Sequence, residues 1–463
     1  MSRRLAPALL ALLALLALAA SDGCSRAPSG TGLKVLLVGI DGATWRVAEP
    51  LAEAGRLPAM QSLIDRGAQG LLRSDRPMKS PSIWTTIATG YDRARHGVDG
   101  FTYSRPGHEG PVLVNSTLRR VPALWDLTSL SGLESGVVGW WATWPAEPID
   151  GWMVTDRLTR SRWSEWSDGV PGRWLTYPEE LTRTLAVQVR DPSRLTADDV
   201  AEIVDLEGEE RQEFDAAQHP VRAHAPSVLK FAWATQRSYE EMAVQMLEES
   251  GQPDFTAVFL IAVDPISHTF WHHWEPQAFG LEPSPEHARL GAAVANIYRH
   301  DDAYIARLLD LVDDDTVIVV VSDHGFQAGG ELPQPVDPTK VADAFSEVRA
   351  LDDDVVTVGQ SGHHQMDGVF LAAGGPLRNV KLKGATVFDV APTVAALLGL
   401  PVAEDLPGRV LTEIIDPAFL EAHPVRTVPS WEGTVERRVR DLDEASTVDP
   451  AAEEMLRSLG YIE

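Results

Sequence analysis

The 463-residue chain has a single cysteine, Cys24, which excludes an internal disulfide framework. It is short of positive charge. Its 40 Lys and Arg stand against 67 Asp and Glu, a formal net charge of -27, and this excludes a protein held to nucleic acid by a basic face. It also lacks an uncharged apolar run of the about 20 residues that an untilted membrane-spanning helix needs; its one long run covers residues 5–20. No internal repeat or low-complexity tract follows that run. What is there, 44% hydrophobic and 23% charged residues, is the composition of an ordinary globular protein with enough chain for one large core or two smaller ones.

The run at 5–20 follows Arg3 and Arg4 and leads through Ser21, Asp22 and Gly23 to Cys24. This is the layout of an export signal: a basic start, an apolar middle and a small-residue cleavage region. It resembles a bacterial lipoprotein signal, in which the cysteine becomes the lipidated first residue of the mature chain, although the usual Leu three places before the Cys is absent. The sequence therefore predicts a signal at 1–23, a flexible tether at 24–32, and a protein exported to the bacterial cell envelope or periplasm. Membrane association would run through Cys24; simple cleavage, with Cys24 an incidental tail residue, is the alternative.

Three apolar runs lie beyond the tether. LKVLLVGI at 33–40 ends at Asp41-Gly42, FTAVFLIAV at 255–263 ends at Asp264, and TVIVVVS at 316–322 ends at Asp323-His324-Gly325. They are too continuous for half-exposed strands and read as buried strands of a parallel sheet. Apolar residues at three- and four-residue spacing predict helices at 54–66, 226–249 and 285–312. The fold class that follows is α/β, a doubly wound, mostly parallel sheet with helices on both faces. Residues 33–144 and 226–415 form that domain. Residues 145–225, rich in Trp, Arg and Pro, read as an inserted cap, and 416–463 as a C-terminal tail. Seven of the 14 Trp fall between 140 and 174, where they form either the core of the insertion or a wall of a substrate pocket.

Ligands bind such sheets beyond the carboxyl ends of the strands. A single Asp after a strand is usually a turn former or helix cap, but three at one sheet edge, two with a His close by, point to a shared site. The candidate metal ligands are Asp41, Asp264, His268, Asp323, His324 and either His363 or His364. Carboxylates with imidazoles suit zinc or a similar divalent ion, and six ligands make two sites of three, each with a position left for water or substrate.

The chain also carries, in order, VGIDG at 38–42, KSPSIWTTIATG at 79–90, HG at 96–97, VDPISH at 263–268, SDHG at 322–325, GHHQMDGVFLAAGGP at 362–376 and FDVAPTVAALLGLP at 388–401. This ordered set resembles the alkaline phosphatase superfamily, in its type I phosphodiesterase and nucleotide pyrophosphatase branch. The resemblance implies an alkaline phosphatase-like fold and two divalent metals, most simply zinc. One would be held by Asp264, His268 and His364, the other by Asp41, Asp323 and His324. His364 is preferred to His363 because Gly362 and Gly368 then fall at the family's spacings.

The family nucleophile falls on Ser80 when Thr89-Gly90 anchors the motif. The resemblance thus implies a metal-dependent phosphoester hydrolase, phosphodiesterase or phosphatase, acting on a small-molecule substrate through a phosphoserine. Two departures bear on specificity. Ile83 stands where nucleotide pyrophosphatases have Asn, which puts nucleotide diesters in question. Ser82 and Trp84 stand where sulfatases have Pro and Arg, which argues against sulfate esters. The alternatives are another superfamily chemistry, such as phosphonate or sulfate-ester hydrolysis or phosphoryl transfer, and a non-catalytic envelope binding protein. His272 and His273 read as packing groups, and Lys79 as either a phosphate contact or a solvated side chain.

Overall fold

The computed structural model describes residues 30–104, 111–159, 173–217, 225–329, 332 and 360–433. Its centre is a nine-stranded sheet. The strands are β1 (Val35–Ile40), β2 (Ala68–Arg73), β3 (Ser135–Val138), β4 (Gly151–Val154), β5 (Thr176–Tyr177), β6 (Phe255–Leu260), β7 (Val317–Val321), β10 (Asp367–Ala373) and β11 (Lys381–Thr386). A short antiparallel hairpin, β8 (Gly325–Ala328) with β9 (Gly362–Gln365), stands between β7 and β10 in the chain. The spatial order is β11-β2-β10-β7-β1-β6-β3-β4-β5. The pairings are parallel except where β10 meets β2 and β7 and where β5 meets β4.

The continuity of the apolar runs is explained by burial on both faces. Leu36, Val38 and Ile40 of β1 belong to one apolar cluster, and Val35 and Leu37 to another on the opposite side. The helices are α1 (Trp45–Glu53), α2 (Pro58–Arg66), α3 (Ser80–Thr89), α4 (Leu124–Leu130), α5 (Ala225–Ser250), α6 (Val263–Trp274), α7 (Pro285–Leu309) and α8 (Val390–Leu397). The first cluster takes in α1, α2, α5, α6 and α7, and the second α3, α4 and α8. Each Val, Leu or Ile so buried is worth about 1.5–3 kcal/mol, which makes the two-sided layering the dominant stabilising feature. The fold is therefore the doubly wound, mostly parallel α/β sheet expected.

Register places the site. Ile40 lies opposite Leu260 and Gly39 opposite Val321, so β1, β6 and β7 end level with one another. β10 runs the other way, Phe370 opposite Val321, so its first residues start at that same edge. Residues following 40, 260 and 321 and residues preceding 367 are thereby gathered at one place.

Residues 145–225 contribute two strands to the side of the sheet, β4 and β5, and then pack Leu195, Val200, Ile203 and Phe214 into the cluster that contains α5. Of the Trp-rich segment, Trp140, Trp141, Trp152 and Trp174 are buried, which makes them core; Trp163 and Trp166 lie outside the described residues. At the C-terminal side, Trp431 is buried edge-on against Tyr91, and Arg95 pairs with Asp405 and Glu432, so this stretch is docked beside α3. The signal, Cys24 and the end of the chain from 434 lie outside the described residues.

Candidate active site

Asp41 follows β1 directly and its backbone N–H donates to Leu260 O at 2.9 Å. Gly42 next to it has φ +72, and a Cβ there would lie 2.5 Å from Phe326, so both the turn and the space require glycine. The Gly42 N–H donates to Asp323 Oδ1 at 3.1 Å, tying the first strand end to the third.

Asp264 differs from the strand-end reading. The apolar run 255–263 spans the end of β6 and the start of α6, and Asp264 sits in the first turn of that helix with His268 one turn on. The i, i+4 spacing puts both on one helix face, and His268 Nε2 is 3.4 Å from Asp264 Oδ1.

The hairpin turns the two adjacent histidines to opposite faces. Side chains alternate across a strand. His364 pairs in register with buried Phe326, and His363 with exposed Gln327 on the other face. His364 Nε2 accordingly reaches 2.9 Å from His268 Nε2 and 3.1 Å from Asp264 Oδ1.

All three inward histidines are oriented alike. His268 Nδ1 donates to Gly362 O at 2.7 Å, His364 Nδ1 to Met78 O at 3.2 Å and His324 Nδ1 to Gly325 O at 3.2 Å. A carbonyl only accepts, so each Nδ1 carries a hydrogen and Nε2 is the nitrogen each ring turns inward, the orientation of a metal-ligating histidine. His324 Nε2 stands 3.6 Å from Asp41 Oδ1, 3.4 Å from Asp323 Oδ2 and 3.8 Å from Asp264 Oδ1.

Two groups of possible metal ligands result, Asp41 with Asp323 and His324, and Asp264 with His324 and His364. His324 therefore lies between the groups, and His268 joins the second through its short approaches to Asp264 and His364.

Asp41, Asp264, Asp323 and His324 are all 0% exposed. Asp41 Oδ2, Asp323 Oδ2 and His324 Nε2 have no hydrogen-bond partner among the described residues, although a buried orphan of this kind ordinarily costs about 1–3 kcal/mol. Burial, then the neighbouring Asp323 and Asp264 charges, pushes Asp41 well above the usual carboxylate range. Burial likewise raises Asp323 to about 8. Burial, then the neighbouring His364, drives His324 well below its ordinary value. For Asp264 burial acts upward, but His268 and His364 outweigh it and hold the carboxyl well below the usual range. Three buried carboxylates and three inward Nε2 atoms gathered together are a donor set for a divalent cation, and the orphaned atoms are the ones such a cation would satisfy.

Ser80 opens α3, with Lys79 as the cap residue and Pro81 following. Its Oγ donates to Asp41 Oδ1 at 3.4 Å, so the expected nucleophile and the metal-ligand candidates form one cluster. Ser82, two residues on, is buried in the same helix. Ile83 is packed with Trp84 and Ile87 in the apolar cluster and offers no polar group. His96, in the HG pair, lies behind α3: Val98 N–H donates to its Nδ1 at 3.1 Å, and its Nε2 meets Thr86 Oγ1 at 3.1 Å. His272 bonds Ser361 Oγ at 3.0 Å rather than joining the metal-ligand candidates.

Sequence reasoning missed the groups that hold this cluster in place. Tyr298 accepts from Thr44 N–H, three residues past Asp41, and Gln236 from Ala262 N–H, two before Asp264. Their one signal is a polar side chain on the buried face of an amphipathic helix.

The model of the type I phosphodiesterase / nucleotide pyrophosphatase family matches residues 35–380. No curated protein matches the chain. Among solved structures, murine ectonucleotide pyrophosphatase / phosphodiesterase 5 in complex with AMP is 13% identical, with 83% of this chain and 100% of that one covered at a TM-score of 0.47. Wild-type alkaline phosphatase PafA is 12% identical over 85% and 100% of the two chains, TM-score 0.48. Phosphonoacetate hydrolase from Sinorhizobium meliloti in complex with phosphonoformate is 14% identical over 77% and 94%, TM-score 0.43.

Proposed function

The chain belongs to the type I phosphodiesterase / nucleotide pyrophosphatase family of the alkaline phosphatase superfamily and is a hydrolase of phosphoester bonds, and on that premise we propose that it acts through Ser80 beside two divalent metals. The observation that carries this reading is the convergence of three histidine Nε2 atoms on three buried carboxylates, with Asp41 Oδ2, Asp323 Oδ2 and His324 Nε2 lacking a hydrogen-bond partner among the described residues. Asp264, His268 and His364 would hold one ion and Asp41, Asp323 and His324 the other, zinc being the ion best suited to this donor set. When bound, such ions polarise phosphoryl oxygens and lower the pKa of a hydroxyl or water.

The remaining work falls to the chain itself. Ser80 Oγ, with its hydrogen directed at Asp41 Oδ1, loses that proton and forms the new bond to phosphorus as the P–O bond to the ester oxygen breaks, and the departing oxygen takes up a proton from solvent to leave as the alcohol. The product is a phosphoserine, which water then hydrolyses. The N-terminus of α3 presents Ser80, and its first turn adds a favourable dipole toward the phosphoryl anion. Ile83 gives the phosphate no amide, so a nucleotide diester has no special partner there.

The mature protein is exported and lipid-anchored at Cys24 in this reading, which rests on the order of basic, apolar and small residues before it. The deciding test is zinc-loaded protein assayed with phosphate monoesters, phosphate diesters, a phosphonate and a sulfate ester. Turnover of a phosphate ester that disappears on chelation is expected. A metal-free preparation with full activity would defeat the two-metal reading.

A further inference from the structure

Helix α7 packs its apolar face, including Val294, Ile297 and Ile305, into the cluster below the site. Tyr298 and Asp301 interrupt that face, and they are only 3% and 1% exposed. Residues three apart are neighbours on a helix surface, and these two reach, respectively, toward the turn that carries Asp41 and the start of α6 that carries Asp264.

Tyr298 Oη accepts the Thr44 N–H at 2.9 Å. Thr44 closes the short turn Asp41-Gly42-Ala43 and caps α1, its hydroxyl accepting from Arg46 N–H. The same turn is held from its other side by Ser322 Oγ, which donates to Ala43 O at 2.7 Å. One contact from α7 thus completes the fixation of the loop that presents Asp41.

Asp301 Oδ1 accepts from Gln236 Nε2 at 2.7 Å, and Gln236 Oε1 accepts the Ala262 N–H at 2.7 Å. The Ala262 N–H can only donate, so the Gln236 oxygen is the atom turned to it, which leaves Nε2 for Asp301 and for Glu240 Oε1 at 3.0 Å. Ala262 is the cap residue of α6, whose first turn carries Asp264. A buried polar chain of two links therefore ties Asp301 to the backbone that presents Asp264.

We propose that α7 is a common brace for the two halves of the metal centre, with Tyr298 and Asp301 as positioning residues that act through Thr44 and Gln236 on Asp41 and Asp264. The inference rests on the two-metal reading above. Tyr298 of α7 meets the Thr44 N–H itself, three residues past Asp41, whereas the Ala262 N–H, two before Asp264, is held by Gln236 of α5, from which Asp301 of α7 accepts in turn. Neighbouring positions of α7 thus bear on both half-sites, one directly and one through α5. Asp302, the next residue, serves as the contrast: it accepts from Ala59 and Met60 N–H at 3.1 and 2.7 Å and so caps α2, away from the metal ligands.

The experiment is a competition titration of zinc against a chromophoric chelator on the full chain, with folding followed by near-ultraviolet circular dichroism. Asp323→Ala and Asp264→Ala identify which binding step belongs to which half-site. Tyr298→Phe is expected to weaken the step lost in Asp323→Ala, and Asp301→Ala the step lost in Asp264→Ala. The expected size is roughly 10- to 100-fold, the usual effect of removing a group that orients a metal ligand. Asp301→Asn keeps an acceptor for Gln236 and should restore near wild-type affinity. Asp302→Ala should lower the melting temperature and leave both zinc steps unchanged. Folded Tyr298→Phe and Asp301→Ala proteins that bind both ions like wild type would overturn the brace while leaving the metal centre intact. Wild-type protein that takes up no zinc would overturn the metal centre and the brace together.

Discussion

His268 Nε2 and His364 Nε2 face each other at 2.9 Å, and each ring has already committed its Nδ1 hydrogen to a backbone carbonyl. Two bare lone pairs at that separation would repel, so the geometry calls for a proton or a cation shared between the two nitrogens. Asp264 Oδ1, 3.1 Å from His364, supplies the negative charge that such a cation would neutralise.

This relationship separates two adjacent residues experimentally. His364→Ala removes an inward nitrogen, so the protein is expected to lose one zinc step and most of its turnover. His363→Ala changes the opposite face of the hairpin, across from Gln327, and should keep both zinc steps. Zinc content by elemental analysis, read beside kcat, distinguishes the two variants; the reverse outcome would place the ligand at 363.

Gly42→Ala tests how tightly the Asp41 turn is specified. The positive φ alone costs an alanine about 1–2 kcal/mol, and its Cβ would also lie 2.5 Å from the Phe326 ring. Thermal melting should show a clear loss of stability, and zinc titration a weakened Asp41 half-site. An alanine variant with wild-type melting and zinc affinity would mean that the turn relaxes freely.

Much of this architecture was legible because buried strands and metal ligands leave strong residue-level signals. The runs at 33–40, 255–263 and 316–322 contain β1, β6 and β7, and the acidic and histidine residues that follow them do meet at one edge. The switch from strand to helix before Asp264 was not legible. Ile261, Ala262 and Val263 are as buried as the strand before them, so the apolar run carries no mark of where β6 stops. β3, β4 and β5 are two to four residues long, too short for a period to register. Tyr298, Gln236 and Asp301 were invisible for another reason. Each sits inside a long amphipathic helix, where a polar residue ordinarily means solvent, and only the tertiary contacts reveal that these three face inward.

The buried charges predict how the metal-free protein responds to pH. Asp323, raised to about 8, and Asp41, raised well above the carboxylate range, bind protons in the fold that they release when unfolded. Such groups stabilise the fold at low pH, and that stability is lost as pH rises toward the folded-state value. Asp301, also raised to about 8 by burial, acts with the same sign. His324 acts oppositely, because its value is depressed, but its contribution is constant above about pH 6.5. The melting temperature of chelator-treated protein should therefore fall between about pH 6.5 and 8. Zinc loading should remove most of that slope and leave the share due to Asp301. A metal-free protein with a flat profile across this window would show that the carboxylates are not held protonated.

Cys24→Ser tests the anchor. Several acyl chains on one cysteine hold a protein stably to a membrane, whereas the charge of -27 gives no attraction to an anionic lipid surface. The variant is expected in the soluble fraction with its hydrolytic activity unchanged. Persistent membrane association would mean that the apolar run at 5–20 is retained as the anchor.

The heaviest commitment is to Ser80. Ser80→Ala deletes the hydroxyl whose oxygen lies 3.4 Å from Asp41 Oδ1 and leaves every proposed metal ligand in place. The protein should fold and hold zinc, yet turn over orders of magnitude more slowly, because the hydroxyl proposed to form the covalent intermediate is gone. A purely structural role predicts something else. Lys79, not Ser80, is the cap residue of α3, and no side-chain cap bond is present there, so helix capping offers Ser80→Ala little stability to lose. Ser82→Ala is the internal control: it removes a buried hydroxyl from the same helix, two residues away, and should leave kcat within a few-fold of wild type. The comparison is decisive because the two substitutions delete the same atom type from the same buried helix. If the Ser82 variant is the inactive one while its zinc is retained, the nucleophile lies two residues further along α3; if neither substitution slows turnover, catalysis by a covalent phosphoserine is wrong.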